Sequence, residues 1–554
     1  MNKNALLLVS VVFYLQGANA QVCGEPSAQA DIHANNIRAR LLTGGDMFWD
    51  LRESMYFPGY VSGQDNPSTI FLAGLWIGGI GPDTTLKLAT VDYRTDGNAE
   101  FWPGPLNTDG TTNADACAQW DRFFRGRAQD VDAFLTALPD LAGNPPQAMT
   151  QFPDIMGWPG RGNPYFALVN GFTLPDQSLA PFVDSDNNGL YDPLVGDYPC
   201  MRLEDKDSFV PTEFYWWVYN DEGAGSAHYN SWGEPLQVEV QQMAWGFSCP
   251  GPTPINNTLF TTHRVILKSD AALDSTYMAI WTDFDIGCQH DDYPGTVPEL
   301  NTFYAYNRDT IDGDLNNFCP PAGDNNSFPG NAPVQSATYL NRTLSSVFGF
   351  QSGGGPGQSP NGPTGPIAFY QALSGNFSGQ PSEFIFPDDP ADPDGWSACS
   401  ANPPEGDWRV LPSTKIGRLE PGVPVELHTA WITHFNPPLP CNLGSMRDNI
   451  QAVQAIFDNG FQDVCQVVAT LNPEINDWQL FPNPATDKLT LVFEQIVVRE
   501  IRALAADGRC MQRLAPLPGA VRAALDTRTW APGLYTIQLV SGSEILTKKV
   551  IVQR

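Results

Sequence analysis

Basic residues are scarce in this chain. Its 554 residues hold 30 Lys and Arg against 61 Asp and Glu, a formal net charge of −31. Such a balance repels DNA, RNA and anionic membranes, and excludes nucleic acid as a partner. It suits divalent cations, or simply keeps an abundant exterior protein in solution. Only 16% of residues are charged, so the imbalance reflects missing cations more than abundant carboxylates.

Histidine is scarcer still, with six residues: His33, His228, His263, His290, His428 and His434. None forms HExxH, and no zinc triad is readable from their spacing. His428 and His434 fall on one strand face with Trp431 between them, which reads as packing. No GxSxG elbow, P-loop or dinucleotide fingerprint is present. The ten cysteines, from Cys23 to Cys510, include no CxxC pair, so a clustered zinc or iron-sulfur centre is not expected. Wide spacing in an exported chain favours disulfides between loops. No apolar run reaches the 18 residues of a spanning helix, and no transmembrane segment is expected.

Against these absences stand 50 Gly, 49 Pro, 31 Phe, 17 Tyr and 15 Trp. The reading is of folded, core-rich domains joined by turn-rich loops. Residues 1–20 have Lys3, an apolar run from Ala5 to Leu15, then small residues at Ala18 and Ala20. That is the build of a cleaved secretory signal.

Strand signals dominate the chain beyond this segment. TIFLAGLWIGGI (69–80) and LKLATVDYRT (86–95) read as a hairpin. Residues 120–138 read as a helix, and 209–287 as four successive strands of a β-sandwich sheet. Residues 310–379 are rich in Gly, Pro, Asn and Ser and read as a long loop insertion. VPVELHTAWITHF (423–435) is a strong strand, and 445–461 a helix with Ile450, Val453, Ile456 and Phe457 on one face. The expected fold is mainly β, a β-sandwich or jelly-roll-like body with long Gly/Pro/Asn-rich loops and short helices, ending in a small immunoglobulin-like β-sandwich. The expected regions are 21–205, which is β-rich and carries a calcium-type loop, then 206–475, then 476–554.

DSDNNGLYDPLVGDYPC (184–200) is the clearest chemical motif. Asp184, Asp186, Asn188 and Asp192 fall at positions 1, 3, 5 and 9 of a calcium loop, with Gly189 at the turn. Leu190 at position 7 offers a backbone carbonyl. Position 12 is Val195, so the closing carboxylate comes from elsewhere, with Asp197 and Glu204 as candidates and Cys200 as a neighbouring staple. A structural Ca2+ is expected; the alternatives are a solvated Asx-rich turn and a catalytic metal. A looser acidic set, Asp283, Asp285, Asp291 and Asp292 with Asp309, Asp312 and Asp314, reads as a second calcium site or a plain acidic rim. DDPADPDGW (388–396) is weaker.

The last 79 residues resemble the type A C-terminal sorting domain of type IX secretion cargo in Bacteroidetes. The likeness rests on Phe481-Pro482-Asn483-Pro484, then Asp487 and Leu489, Asp507-Gly508-Arg509, Gly533-Leu534-Tyr535 and the closing Lys548-Lys549-Val550-Ile551-Val552. The resemblance implies Sec export, outer-membrane translocation by the type IX machinery through 476–554, and a secreted or outer-surface location. Cys510 departs from the usual pattern of such tails. The body resembles an uncharacterised family of exported Bacteroidetes surface proteins. The matching blocks include Ala73-Gly74-Leu75-Trp76-Ile77-Gly78-Gly79, Phe101-Trp102-Pro103-Gly104-Pro105-Leu106, Trp216-Trp217-Val218-Tyr219-Asn220-Asp221 and Asp283-Phe284-Asp285-Ile286-Gly287.

These readings leave two function classes. One is a calcium-stabilised, disulfide-linked structural or adhesive surface protein, assembling into an oligomer or filament. The other is an extracellular carbohydrate-binding protein or glycan hydrolase. The hydrolase would set Glu213 against Asp283 and Asp285, with Trp216, Trp217 and Trp281 stacking sugar rings.

Overall fold

The computed structural model describes residues 22–553 except 50–59, 63–67, 95–97, 205, 226–227, 314–326, 329–330, 352–364, 377–381, 405, 436, 463, 468–477, 482–483, 494–497, 506–508, 517–521 and 542–543. The signal segment 1–20, the turn residues Pro482-Asn483 and Asp507-Gly508, and Asp314 lie outside the described residues. The chain divides into two compact units, Met1–Cys465 and Gln466–Arg554.

The first unit is built on two large antiparallel sheets. The ten-stranded sheet runs through Ser346–Gln351, Trp408–Leu419, Leu273–Asp283 and Leu72–Ile80 toward Ile37–Leu42. The nine-stranded sheet runs from Asp292–Val297 through Thr302–Asn307, Val334–Tyr339, Val425–His434, Thr258–Leu267 and Val238–Gly246 to Glu213–Asn220. Residues before and after 205 share both sheets. The sheets pack on each other through named side chains. The Tyr339 hydroxyl accepts from the Ile280 N–H at 2.9 Å and donates to the Pro412 carbonyl at 2.8 Å. Thr69 donates to the Gln335 amide oxygen at 2.9 Å, and the rings of Phe48 and Trp431 meet edge to face at 5.1 Å.

Many expected elements form. Leu72–Ile80 and Leu86–Thr90 pair as a hairpin. The strand Val425–His434 and the helix Met446–Asp458 are present, with Ile450, Val453, Ile456 and Phe457 buried. The four strands within 209–287 form, but Leu273–Asp283 crosses to the ten-stranded sheet and leaves three in the other. Trp216, Trp217 and Trp281 are core residues.

Two expectations give way. The helix expected over 120–138 is instead the helix Ala114–Trp120, the strand Phe124–Arg127 and the helix Ala128–Leu141. Its early part is captured by pairing with Glu213–Asn220, and Gly126 permits this because a Cβ there would overlap the Phe214 ring. The stretch 310–379 is not simply a loop. Val334–Tyr339 and Ser346–Gln351 lie within it and pair into both sheets, followed by the helix Pro366–Leu373. VQSATY is polar, SVFGFQ is short, and Gly and Pro around both hide them from local pattern.

Disulfides Cys23–Cys117, Cys249–Cys465 and Cys399–Cys441 tie distant segments, and Cys288 is also oxidised. Cys200 is a free, buried thiol, so it does not staple the 184–197 loop. Burial pushes this thiol up to about 11, which keeps it protonated and inert.

The second unit has a three-stranded sheet (Trp478–Phe481, Lys488–Phe493, Arg522–Asp526) and a four-stranded sheet (Cys510–Leu514, Glu500–Ala505, Gly533–Ser541, Glu544–Val552). Leu489, Ile501, Leu525, Trp530, Tyr535, Ile537 and Val550 fill its core. Tyr535 is buried, with its hydroxyl donating to the Ala531 carbonyl. Cys510 is a free, exposed thiol.

Candidate metal centre

Two groups of carboxylates converge in the first unit. The first sits on the loop joining a two-stranded ribbon, Phe182–Val183 with Tyr198–Pro199. Asp184, Asp186 and Asp197 each present an oxygen within 4.8 Å of the others. Backbone curvature brings them together, with Asn187 at φ 58° and Gly189 at φ 78°. The Asp184 carboxylate accepts from the Gly189 and Asn188 N–H groups at 2.8 and 3.1 Å, and these bonds hold its pKa below the usual range. Asp197 is buried and accepts from the Ser185 and Asp192 N–H groups, both at 2.8 Å. Its burial pushes its pKa up. Asn188 donates to Asp186 at 2.8 Å. Asp192 instead caps the short helix Pro193–Val195 by accepting from the Leu194 N–H, and the Leu190 side chain is exposed. Neither Asp192 nor Glu204 belongs to the converging group. The Glu204 N–H donates to Glu426.

The second group is Asp283, Asp285 and Asp407, again with oxygens within 4.8 Å of one another. Asp283 ends the strand Leu273–Asp283, Asp285 lies just beyond it, and Asp407 precedes Trp408–Leu419. Pairing of those two strands, with Asp283 opposite Arg409, delivers Asp407 to the site. Arg409 is the guanidinium beside the group, 2.6 Å from Asp407 and 3.5 Å from Asp283, and His290 lies close enough to act on Asp407 as well. Arg409 also donates to the Tyr93 hydroxyl, which itself donates to Asp283. Fully ionised, the three carboxylates would outnumber the cationic groups beside them, and a divalent ion would offset that charge. Oδ1 of Asp283, Asp285 and Asp407 is buried without a hydrogen-bond partner. Leaving such oxygens unpaired is costly. Burial, reinforced by Asp407, pushes the Asp283 carboxyl up to about 8. Burial and the Asp283 charge likewise drive Asp285 well above the carboxylate range.

Asp291 and Asp292 flank this group without joining it. Asp292 accepts from the Ile286 N–H at 2.8 Å and feels the charges of Asp291, Asp312 and Asp285. Asp291 accepts from the Gly313 N–H at 2.8 Å, and Asp312 accepts from the Cys288 and Phe328 N–H groups. Burial raises Asp291 and Asp312 each to about 7. Oδ1 of Asp291, Asp292 and Asn307 is also buried and unpartnered, and Asn307 stands opposite Asp292 in the sheet.

Local spacing singles out Asp283 and Asp285 but misses Asp407, which it cannot join to them. The 388–396 stretch forms Asx turns at Asp389 and Asp392, which accept from the Ala391 and Asp394 N–H groups, and Asp388 closes the loop by accepting from the Trp396 N–H. Glu213 is not a partner for Asp283: it lies on the other sheet, paired with Arg125. His428 is buried between Thr262 at 2.8 Å and Glu426 at 3.2 Å, and His434 is buried against Ser336. Beside the 184–197 loop, a cleft of about 1010 Å³ opens over the outer face of the nine-stranded sheet.

Residues 479–553 match the secretion system C-terminal sorting domain. The chain therefore ends in a sorting domain diagnostic of type IX secretion cargo in Bacteroidetes, and is a secreted, disulfide-containing protein. No curated protein matches the chain. Among solved structures, a heparan sulfate lyase HepC mutant from Pedobacter heparinus aligns at 8% identity and TM-score 0.19, covering 55% of this chain and 26% of its own. The CBM51-2 and INT domains of Clostridium perfringens ZmpB align at 8% identity and TM-score 0.11, covering 58% of this chain and 94% of theirs. Likeness at this level carries neither fold nor activity. No helix among the described residues is long and apolar enough to cross a membrane.

Proposed function

We propose that the protein is a structural or adhesive component of the cell exterior, stiffened by Ca2+ and by its disulfides. The observation that carries the reading is the trio Asp283, Asp285 and Asp407, the first two buried and all three with orphaned oxygens beside little cationic charge. A hard divalent ion takes carboxylate oxygens in a flexible shell of six to eight ligands, which suits this trio. The Asp184, Asp186 and Asp197 loop is a second, shallower site for the same ion. The body in this reading is a sandwich of its two sheets, and the tail an immunoglobulin-like sandwich that addresses it to the type IX machinery.

Adhesion or self-assembly is supported by the loop that carries Tyr229 and Trp232. Trp232 is 72% exposed and held at φ 58°, a strained conformation for a bulky residue.

Removing calcium tests the reading. Protein dialysed against calcium and then washed retains bound calcium by elemental analysis. Chelation lowers the melting temperature by about 5 °C. The D285N variant melts lower and responds less to the chelator. A metal-free protein whose melting point ignores both chelator and calcium would sink the proposal.

A further inference from the structure

We propose that the cleft beside the 184–197 loop binds an anionic, hydroxyl-rich oligosaccharide through Arg202 and Lys206. The cleft, about 1010 Å³, is large for a small-molecule pocket and has room for several sugar rings. In a chain of net charge −31, it gathers Arg161, Arg202, Lys206 and Arg264. Two of these are neutralised: Arg161 pairs with Asp176 at 2.9 Å, and Arg264 lies 3.3 Å from Glu426. Among the described residues, the other two have neutral acceptors. Arg202 donates to the Ser208 hydroxyl at 3.2 Å and the Phe182 carbonyl at 2.8 Å. Lys206 donates to the Asp458 carbonyl at 2.9 Å and lies 5.4 Å above the Phe457 ring. A guanidinium and an ammonium held this way keep their full charge for an incoming anion.

The acids at the cleft do not cancel them. Asp184 turns its carboxylate to the Asn188 and Gly189 N–H groups of its own loop, and Glu426 is engaged by Arg264, His428 and the Glu204 N–H. Among the described residues that line the cleft, Glu204 is the remaining opposing charge.

The floor decides between a sugar and a peptide. It is built by Trp216, Gln241, Met243, Thr262, Arg264 and Glu426, which lie on paired strands. Val238–Gly246 and Thr258–Leu267 each have a neighbour on both sides, so the floor itself offers no free sheet edge to an extended peptide. Recognition comes from side-chain hydroxyl, amide and guanidinium groups, with Phe182 and Tyr198 as aromatic walls, a surface made for polyols. The proposal rests on the exterior location of the protein and not on bound calcium.

The test is calorimetric titration of the full chain with an oligoglucuronate, a sulfated oligosaccharide of equal length, and the oligoglucuronate reduced to its neutral form. Either anionic sugar binds, and the tighter of the two names the anion. The neutral form binds at least tenfold more weakly, and affinity falls between 50 and 200 mM salt. The R202Q/K206Q variant loses at least tenfold, while R202K/K206R stays within about threefold and so controls for folding. Absence of binding by both anionic sugars overturns the proposal. So does equal binding of the neutral form, or full affinity in R202Q/K206Q. An oligoglutamate that binds as tightly as the sugars overturns the choice of ligand class.

Discussion

His228 carries a proton on both ring nitrogens. Nδ1 lies 2.7 Å from the Leu88 carbonyl and Nε2 lies 2.8 Å from the Asp221 carbonyl, and a carbonyl oxygen only accepts. The ring is therefore an imidazolium inside the protein, with the Glu100 carboxylate 3.6 Å away. Burial works against that charge, but Glu100 and Asp221 outweigh it and the pKa is raised above the ordinary histidine value. A raised folded pKa stabilises fully below the unfolded value of about 6.5, and the gain is lost as pH climbs through the folded pKa. H228Q is expected to cost about 3 kcal/mol at pH 6, because it strands Glu100 beside a neutral side chain. The gap between wild type and variant narrows toward pH 9 in urea denaturation. A gap that stays constant across that range contradicts the charged ring.

Among the elements, Val334–Tyr339 joins the two sheets. Gln335 accepts from Thr69 and Thr433, and Tyr339 takes the Ile280 N–H. Y339F leaves that buried N–H without an acceptor and is expected to cost about 2 kcal/mol, read as a lower denaturation midpoint with an unchanged slope. This strand is also the least legible from sequence. VQSATY is short and polar, and its neighbours are rich in Gly and Pro, so local pattern gives it no weight. The hairpin 69–90 and the helix 446–458 are legible because their periodicity is local and uninterrupted. The candidate sites divide the same way. Asp184 and Asp186 announce themselves within one loop, as do Asp283 and Asp285. Asp407 reaches Asp283 only through pairing of strands far apart in the chain, and the cleft exists only once 178–208 folds over the sheet.

At the scale of the molecule, the sorting unit has its own core and two sheets of its own. Deleting 476–554 therefore leaves the body folded and oxidised, but retained in the periplasm, as cell fractionation and non-reducing gels would show. Surface delivery of the truncated chain would refute the role of the tail. The body's last residue, Cys465, is bonded to Cys249 between the strands Val238–Gly246 and Thr258–Leu267. Were the body attached to the surface at that end, flow would pull on it there. The tension enters through a covalent bond into the middle of the nine-stranded sheet, where neighbouring strands share it. The helix Met446–Asp458, which would otherwise peel away first, lies outside the load path.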